Sequence, residues 1–272
     1  MYSVVILTLN EAQRLPGCLA SVAMCDDVVV LDSGSTDNTL EVAKAAGARI
    51  FSNPFQNFAQ QRNHAHDRIP FRHPWLLHLD ADERMTAELH AECMAWCPAP
   101  GVVGAWIAPK MLWRERWIRR CTDFPAWQAR FVNPESFRFI EVGHGQREAP
   151  GTKLAYFQNN YLHDLSSEGV DGWLEKHRRY ARVEAKEQFQ ATPLPWSDLV
   201  ASDRLVRRRA LKQLSYRLPL RSLARFVYQY ILRQGFRDGR AGWEYCRLIA
   251  RYEGFAQNEL RALRRSRRSP QS

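Results

Sequence analysis

The stretch DVVVLDSGSTDNTLEVAKAAGARIFS, residues 27–52, decides the fold. Between Asp27 and Asp32 lie Val28, Val29, Val30 and Leu31, an apolar, mostly β-branched run without polar alternation that reads as a strand. SGSTDNT comes next, a turn rich in residues that cap helices. TLEVAKAAGA then reads as a helix that Gly47 ends, and ARIFS reads as a further strand. A strand, a helix and a strand in that order pair in parallel through a right-handed crossover.

The same alternation extends on either side. SVVILTL (3–9) is an apolar strand, Asn10 can cap the next helix, and Leu15, Leu19 and Val22 recur at helical spacing. Downstream, NFAQQRNHAHDRI reads as a helix and PWLLHLD as a fourth strand. The expected fold class is therefore α/β: a mostly parallel sheet with helices on both faces. From about Val103 the pattern changes. VVGAWIAPKMLW, FRFIEVGHG and LAYFQNNYLHDL look like strands of a mixed-sheet extension rich in Trp, Phe and Tyr. From Gly169 the sequence is helical, with a Pro-containing break at 192–196. Two domains are expected: residues 1–192, and a basic amphipathic helical region over 193–272 whose last residues, RRSRRSPQS, are disordered.

Composition narrows the function classes. At 272 residues and 45% apolar content the chain can bury a large core, and 14 Gly with 14 Pro exclude low-complexity or collagen-like order. The apolar run at the amino terminus is too short for a signal peptide, and no run of about 18 apolar residues marks a membrane span. A cytoplasmic location is expected. Six cysteines form no CxxC pair. Cys93 and Cys97 lack the Pro-Cys-x-x-Cys of a zinc deaminase, so reduced, packed thiols are expected. The net charge of +10 is uneven: residues 203–272 hold 18 Arg and Lys against 5 Asp and Glu, a balance of +13, while the remainder stands at −3. The basicity belongs to the C-terminal region and to its partner.

In open α/β sheets ligands bind beyond the carboxyl ends of the strands. Three strand ends carry polar clusters here: Thr8-Leu9-Asn10-Glu11, 32–37 (DSGSTD) and 80–83 (DADE). No GxGxxG or GxxxxGK[ST] loop is present. Asp32 can accept hydrogen bonds from a base edge or a ribose, with backbone donors from the turn behind it; alternatively Asp32 and Asp37 only cap the next helix. In WLLHLDADERM (75–85), an apolar strand runs into Asp80, Asp82 and Glu83. Crowded carboxylates repel, and burying one unpaired is costly, so a compensating charge is required and a bound divalent cation is the expected one. Such an ion takes one or two protein carboxylates and fills its shell with substrate phosphates. The alternative is a solvated turn of acids capping a helix near Thr86. His64 and His66, two apart, do not share a helical face, so a paired metal site between them is not expected.

In this order and spacing, SVVILTLNE, VVVLDSGSTDNT, FAQQRNHA and WLLHLDADE resemble the family 2 glycosyltransferases of GT-A fold, within them the branch of lipopolysaccharide-core glucosyltransferases. WQARFV, GHGQRE, YLHD, WLEKHRRYARVEA and QGFRDGRAGW extend the resemblance over most of the chain. It implies inverting transfer of a sugar, with glucose the candidate, from a UDP-sugar with Mg²⁺ or Mn²⁺. It places Thr8, Asn10, Glu11, Asp32, Ser33, Asp37, Arg62 and Asp80 around the nucleotide-sugar and Asp80 with Asp82 at the metal. Relatives carry a general base in a His-Glu pair after the mixed strand. This chain instead has VGHGQRE, so Glu148 is the expected base and His144 a metal or phosphate contact or alternative base. Trp106, Trp113, Trp117 and Trp127 are read as core, with a sugar-stacking platform as the alternative.

The basic C-terminal segments mix Arg with Leu, Phe, Tyr and Ile at helical spacing, which suits an anionic membrane surface; no nucleic-acid recognition motif accompanies them. The acceptor implied is a lipid-linked glycan or lipopolysaccharide core, at the cytoplasmic face of the inner membrane. Two rivals remain at this level: a sugar nucleotidyltransferase, whose Gly-rich basic N-terminal loop is absent, and a non-enzymatic basic adaptor.

Overall fold

The computed structural model describes residues 1–142, 145–191, 195–215 and 220–268. In chain order its strands are β1 (Ser3–Thr8), β2 (Val28–Asp32), β3 (Arg49–Ser52), β4 (Leu76–Asp80), β5 (Glu83–Arg84), β6 (Gly104–Ile107), β7 (Lys110–Trp113), β8 (Arg116–Trp117), β9 (Gln128–Val132), β10 (Phe139–Val142), β11 (Gly145–Glu148), β12 (Ala155–Tyr156) and β13 (Leu162–Asp164). The helices are α1 (Leu15–Ser21), α2 (Thr39–Ala45), α3 (Phe58–Arg68), α4 (Ala87–Met94), α5 (Gly169–Gln190), α6 (Arg204–Ser215), α7 (Arg221–Val227) and α8 (Gly239–Arg268).

Seven strands form the main sheet in the order β12-β6-β9-β4-β1-β2-β3. β1, β2, β3 and β4 are parallel, as the alternation predicts, and β9 enters antiparallel between β4 and β6. The absence of polar alternation in β1 is explained by its two buried faces. Val4 and Ile6 pack with Leu15, Cys18 and Leu19 of α1, Ala43 of α2 and Leu89 of α4. Val5 and Leu7, pointing the other way, pack with Ala65 of α3 and with Ile69. A second, smaller sheet sets β5 antiparallel to β13, and β13 parallel to β7. β10 and β11 form a separate hairpin.

Two local expectations change. Asn10 does not cap α1: it sits at φ 57°, and α1 starts five residues later with Pro16 in its first turn. The acids of 80–83 do not cap α4, because Thr86 Oγ1 accepts the Leu89 N–H itself at 3.2 Å.

The chain forms two compact units, Met1–Leu112 with Asp123–Ser167, and Trp113–Thr122 with Glu168–Ser272. They part at Glu168 rather than near residue 192, because α5 packs on α8: Arg182 pairs with Glu259, Tyr252 donates to Glu184, and Arg178 lies over Phe255. The composition change at 192 marks a break in helicity instead. α8 runs to Arg268, so the disorder expected from residue 264 does not hold over 264–268; residues 269–272 lie outside the described residues. All six cysteines are free, four of them buried. Among the described residues no helix is long and apolar enough to cross a membrane.

Candidate active site

Register alone brings the polar strand ends together. Thr8 pairs with Asp32 across β1–β2, and Leu7 pairs with Asp80 across β1–β4. The first two ends are then laced by hydrogen bonds. Asn10 Oδ1 accepts the Thr36 N–H at 2.8 Å, its own N–H donates to Ser35 Oγ, and the Glu11 N–H donates to Thr39 Oγ1. Asp37 accepts the N–H groups of Ala12 and Thr39 and the Thr39 hydroxyl, while Glu11 pairs with Arg14. Ser33 Oγ accepts from Gln61 of α3 at 3.1 Å. A left-handed Asn10 is what lets the chain leave β1 and turn its side chain onto this loop.

Asp32 is buried, and both its oxygens are committed. Oδ1 accepts the hydroxyls of Thr8 and Ser35, and Oδ2 accepts the N–H groups of Gly34 and Ser35. Burial alone would raise its pKa, but these four donors hold the carboxyl below its ordinary range. A carboxylate offers about four acceptor sites, so in this arrangement Asp32 organises the turn that carries Ser33 to Asp37.

The end of β4 is built differently. Arg62 of α3 donates to Asp80 Oδ1 at 2.7 Å, and Arg130 of β9 reaches Asp80 Oδ2 at 3.0 Å and Glu83 Oε1 at 2.7 Å. Both arginines are buried, and Arg130 also lies over the Tyr161 ring. Glu83, fully buried, accepts the Asp80 N–H at 2.8 Å through its other oxygen. His163 of β13 stands 3.5 Å from Asp82 and 3.7 Å from Glu83. Its place comes from sheet register, with His163 opposite Glu83 and the Asp164 N–H bonded to the Asp82 carbonyl.

Three acids thus face three cations, and the crowding that sequence alone assigns to a bound ion is offset by the protein's own side chains. Burial works against the charge on Asp80, yet Arg130 and Arg62 hold its carboxyl well below the usual range. Burial, reinforced by the neighbouring acids, lifts Glu83 to about 7 in spite of Arg130. Burial also opposes charge on His163, but the hydrogen bond and charge of Asp82, with Glu83 and Asp80, push it up to about 9. Arg62 is drawn down to about 10 by burial and stays a cation at neutral pH.

Within this cluster Asp82 is distinct. Among the described residues no guanidinium is bonded to it; its partner is His163, and both side chains keep about a fifth of their surface exposed, 20% and 23%. The Asp82 carboxylate is the kind of oxygen donor that Mg²⁺ and Mn²⁺ take, and the His163 imidazole could join it only after giving up the proton that the surrounding acids favour. Asp80, expected to share the ion, has each oxygen on a guanidinium. Among the described residues no group of three or more His, Cys, Asp or Glu is arranged to hold a metal. An ion here would have a two-residue protein shell and draw its remaining oxygens from phosphate and water.

Glu148 ends β11 and pairs with Phe139 across the hairpin, so the two share a face. Phe139 packs against Arg62 and His78, which turns that face toward α3 and the β4 end. Among the described residues no side chain bonds or ion-pairs with Glu148. His144 lies outside the described residues. His66 does meet another imidazole, but it is that of His78, 2.9 Å away in the core. Of the tryptophans, Trp113 is fully buried, while Trp127 is 41% exposed and meets the Tyr156 ring edge-on at 4.9 Å, with Trp106 tilted against the same ring at 4.7 Å.

Sequence reading did not single out His163, Arg130 or Tyr161. Each sat inside a motif, YLHD or WQARFV, but nothing local ties position 163 to 82 or 130 to 80; the link is strand order.

The family described as "Glycosyl transferase family 2" matches residues 3–215. An uncharacterized glycosyltransferase of Rickettsia bellii (strain RML369-C) is 36% identical over 91 residues, which cover 33% of this chain and 30% of that protein. The lipopolysaccharide core biosynthesis glycosyltransferase LpsC of Rhizobium meliloti (strain 1021) is 35% identical over 92 residues, 32% of this chain and 33% of that protein. The chain thus spans about a third of the length of these relatives. The structure of S. aureus TarS 1–349 in complex with UDP-GlcNAc aligns over 98% of this chain and 91% of that one, at 16% identity and a TM-score of 0.48. The family match runs through the parallel sheet, the acidic turn and the strand of His163, and the chain belongs to glycosyl transferase family 2.

Proposed function

We propose that the protein is an inverting, metal-dependent glycosyltransferase that moves a sugar, glucose being the candidate, from a UDP-sugar to a lipid-linked glycan or lipopolysaccharide-core acceptor. The single observation that carries this reading is the Asp82–His163 pair: a partly exposed carboxylate and imidazole at the lip of a parallel sheet, beside acids already neutralised by arginine. The turns after β1 and β2, with Thr8, Asn10, Glu11, Asp32, Ser33 and Asp37, border the nucleotide. Asp82, joined by His163 once its imidazole is deprotonated, would hold Mg²⁺ or Mn²⁺, and the ion would supply positive charge for the leaving diphosphate. Arg62 and Arg130 fix Asp80 and Glu83, so that the turn presenting Asp82 does not move as charge develops.

Inversion requires that the acceptor oxygen bond to the anomeric carbon as the bond to diphosphate breaks on the opposite face. Glu148 takes the acceptor proton on its carboxylate in that step. The reaction takes place at the cytoplasmic face of the inner membrane, with the basic C-terminal helices on its anionic surface.

A panel of UDP-sugars tests the reading through two signals, metal-dependent release of UDP and protection against thermal unfolding. One UDP-sugar is expected to give both with Mn²⁺ present. Glu148→Gln is expected to keep the protection and lose transfer. Release of pyrophosphate in place of UDP would assign the chain to the nucleotidyltransferases instead.

A further inference from the structure

The second compact unit contains a helix whose outward side is more aliphatic than its packed side. Along α7 and the π-turn that continues it (Tyr228–Leu232), the packed side mixes buried polar groups with aromatic rings. Arg221 is buried on Glu253 at 2.6 Å, and buried Gln229 donates to the Cys121 carbonyl at 2.9 Å. Phe226 and Tyr230 complete that side against Trp243 of α8. The outward side is apolar. Leu220, Leu223, Val227, Tyr228, Ile231 and Leu232 recur at helical spacing and are 40–71% exposed. A helix of a water-soluble protein places such a stripe on its core, and contiguous exposed apolar surface marks a partner.

The charges around the stripe say which partner. Residues 220–240 hold five arginines and one acid, Asp238. Asp238 is itself turned onto the N–H groups of Arg120 and Cys121. Those bonds bring up the segment Trp113–Thr122, with four arginines against one acid; Arg119 lies over Trp117, which is 36% exposed. Arg221 faces inward on Glu253, and Arg114 and Arg240 share Glu244, so a second copy meeting this face would set the other six arginines against six. An aliphatic stripe collared by Arg, with Trp and Tyr at its border, fits the region where anionic headgroups meet acyl chains.

We infer that α7 and its π-turn lie in the plane of an anionic lipid interface, with Leu220, Leu223, Val227, Ile231 and Leu232 in the acyl boundary and the arginines on headgroup phosphates. This deepens the membrane reading given under Proposed function and rests on it only for the location of the acceptor.

Flotation of the full chain with vesicles of phosphatidylglycerol and phosphatidylcholine tests it, alongside vesicles of phosphatidylcholine alone. The protein is expected to float with the anionic vesicles, to bind the neutral ones about tenfold less tightly, and to be released by salt. Leu223→Glu and Ile231→Glu, both at exposed positions, are expected to weaken binding about tenfold each with an unchanged melting temperature. Failure to float, equal binding to neutral vesicles, or variants that float like the parent would overturn the assignment. So would a soluble dimer that the same two variants dissociate. UDP-sugar hydrolysis without vesicles reads the catalytic proposal separately, and neither variant is expected to change it.

Discussion

The ends of β2 and β4 lie in one sheet and both finish in carboxylates, yet they dispose of the charge in opposite ways. Asp32 is neutralised by neutral donors: two hydroxyls and two N–H groups. Asp80 and Glu83 are neutralised by buried arginines from α3 and β9. Neutral donors suffice for one isolated acid, whereas three acids within four residues need full counter-charges. Acids whose oxygens are all taken hold the rim in place, whereas Asp82, partnered by an imidazole, is the one proposed to meet a ligand.

The largest expected effect breaks that contrast at its active end. Asp82→Asn should lower UDP-sugar turnover about a thousandfold, the loss of several kcal/mol of charge stabilisation, while the melting temperature barely moves. Steady-state assays with Mn²⁺ and a thermal melt on the same samples check both halves. Arg130→Met attacks the framework. It leaves buried Glu83, and one oxygen of the partly exposed Asp80, without their counter-charge, and should cost about 3 kcal/mol of stability in urea unfolding. Adding Glu83→Gln should restore part of that loss.

A third prediction concerns the core below the β4 end. Burial, with the charge of Arg138 adding to it, holds His66 down to about 4, and burial keeps its neighbour His78 well below the ordinary histidine range. The unfolded chain binds a proton at such a residue near about 6.5. The unfolded state therefore holds more protons than the folded one between those values, and stability falls as pH drops from about 6.5 toward 4, by about 3 kcal/mol for His66. Glu83, lifted to about 7, runs the other way over part of this range. The measurement is therefore the difference in unfolding free energy between the parent and His66→Phe, which should shrink in favour of the variant as pH falls. The smallest effect is expected at β2. Asp32→Asn removes acceptor capacity from four buried bonds and should cost about 1–3 kcal/mol, with a smaller loss of turnover than Asp82→Asn.

Much of this arrangement was legible in the sequence. Apolar runs identified three of the four parallel strands and the helix before ARIFS the remaining one, and the polar residues at three strand ends marked the rim, because strand period and turn chemistry are local signals. What the sequence could not show was the source of compensation. Arg130 reaches Asp80 across β4–β9 and His163 reaches Asp82 across β5–β13, pairings fixed by sheet order. Asn10 was misread for a related reason: its type fits a helix cap, but its backbone is left-handed and its partner is Thr36. Amphipathy in α7 was visible as well, though its direction was not, because Glu253 and the Cys121 carbonyl, which draw its polar side inward, lie far along the chain.

The most direct measurement is a calorimetric titration of Mn²⁺ into the protein with UDP present, for the parent, Asp82→Asn, His163→Ala and Asp32→Asn. Metal binding is expected in the parent and in Asp32→Asn, and is expected to vanish in the other two while their circular dichroism stays that of the parent. Mn²⁺ binding by Asp82→Asn with the affinity of the parent would contradict the assignment of Asp82 and His163 as the pair that receives the ion.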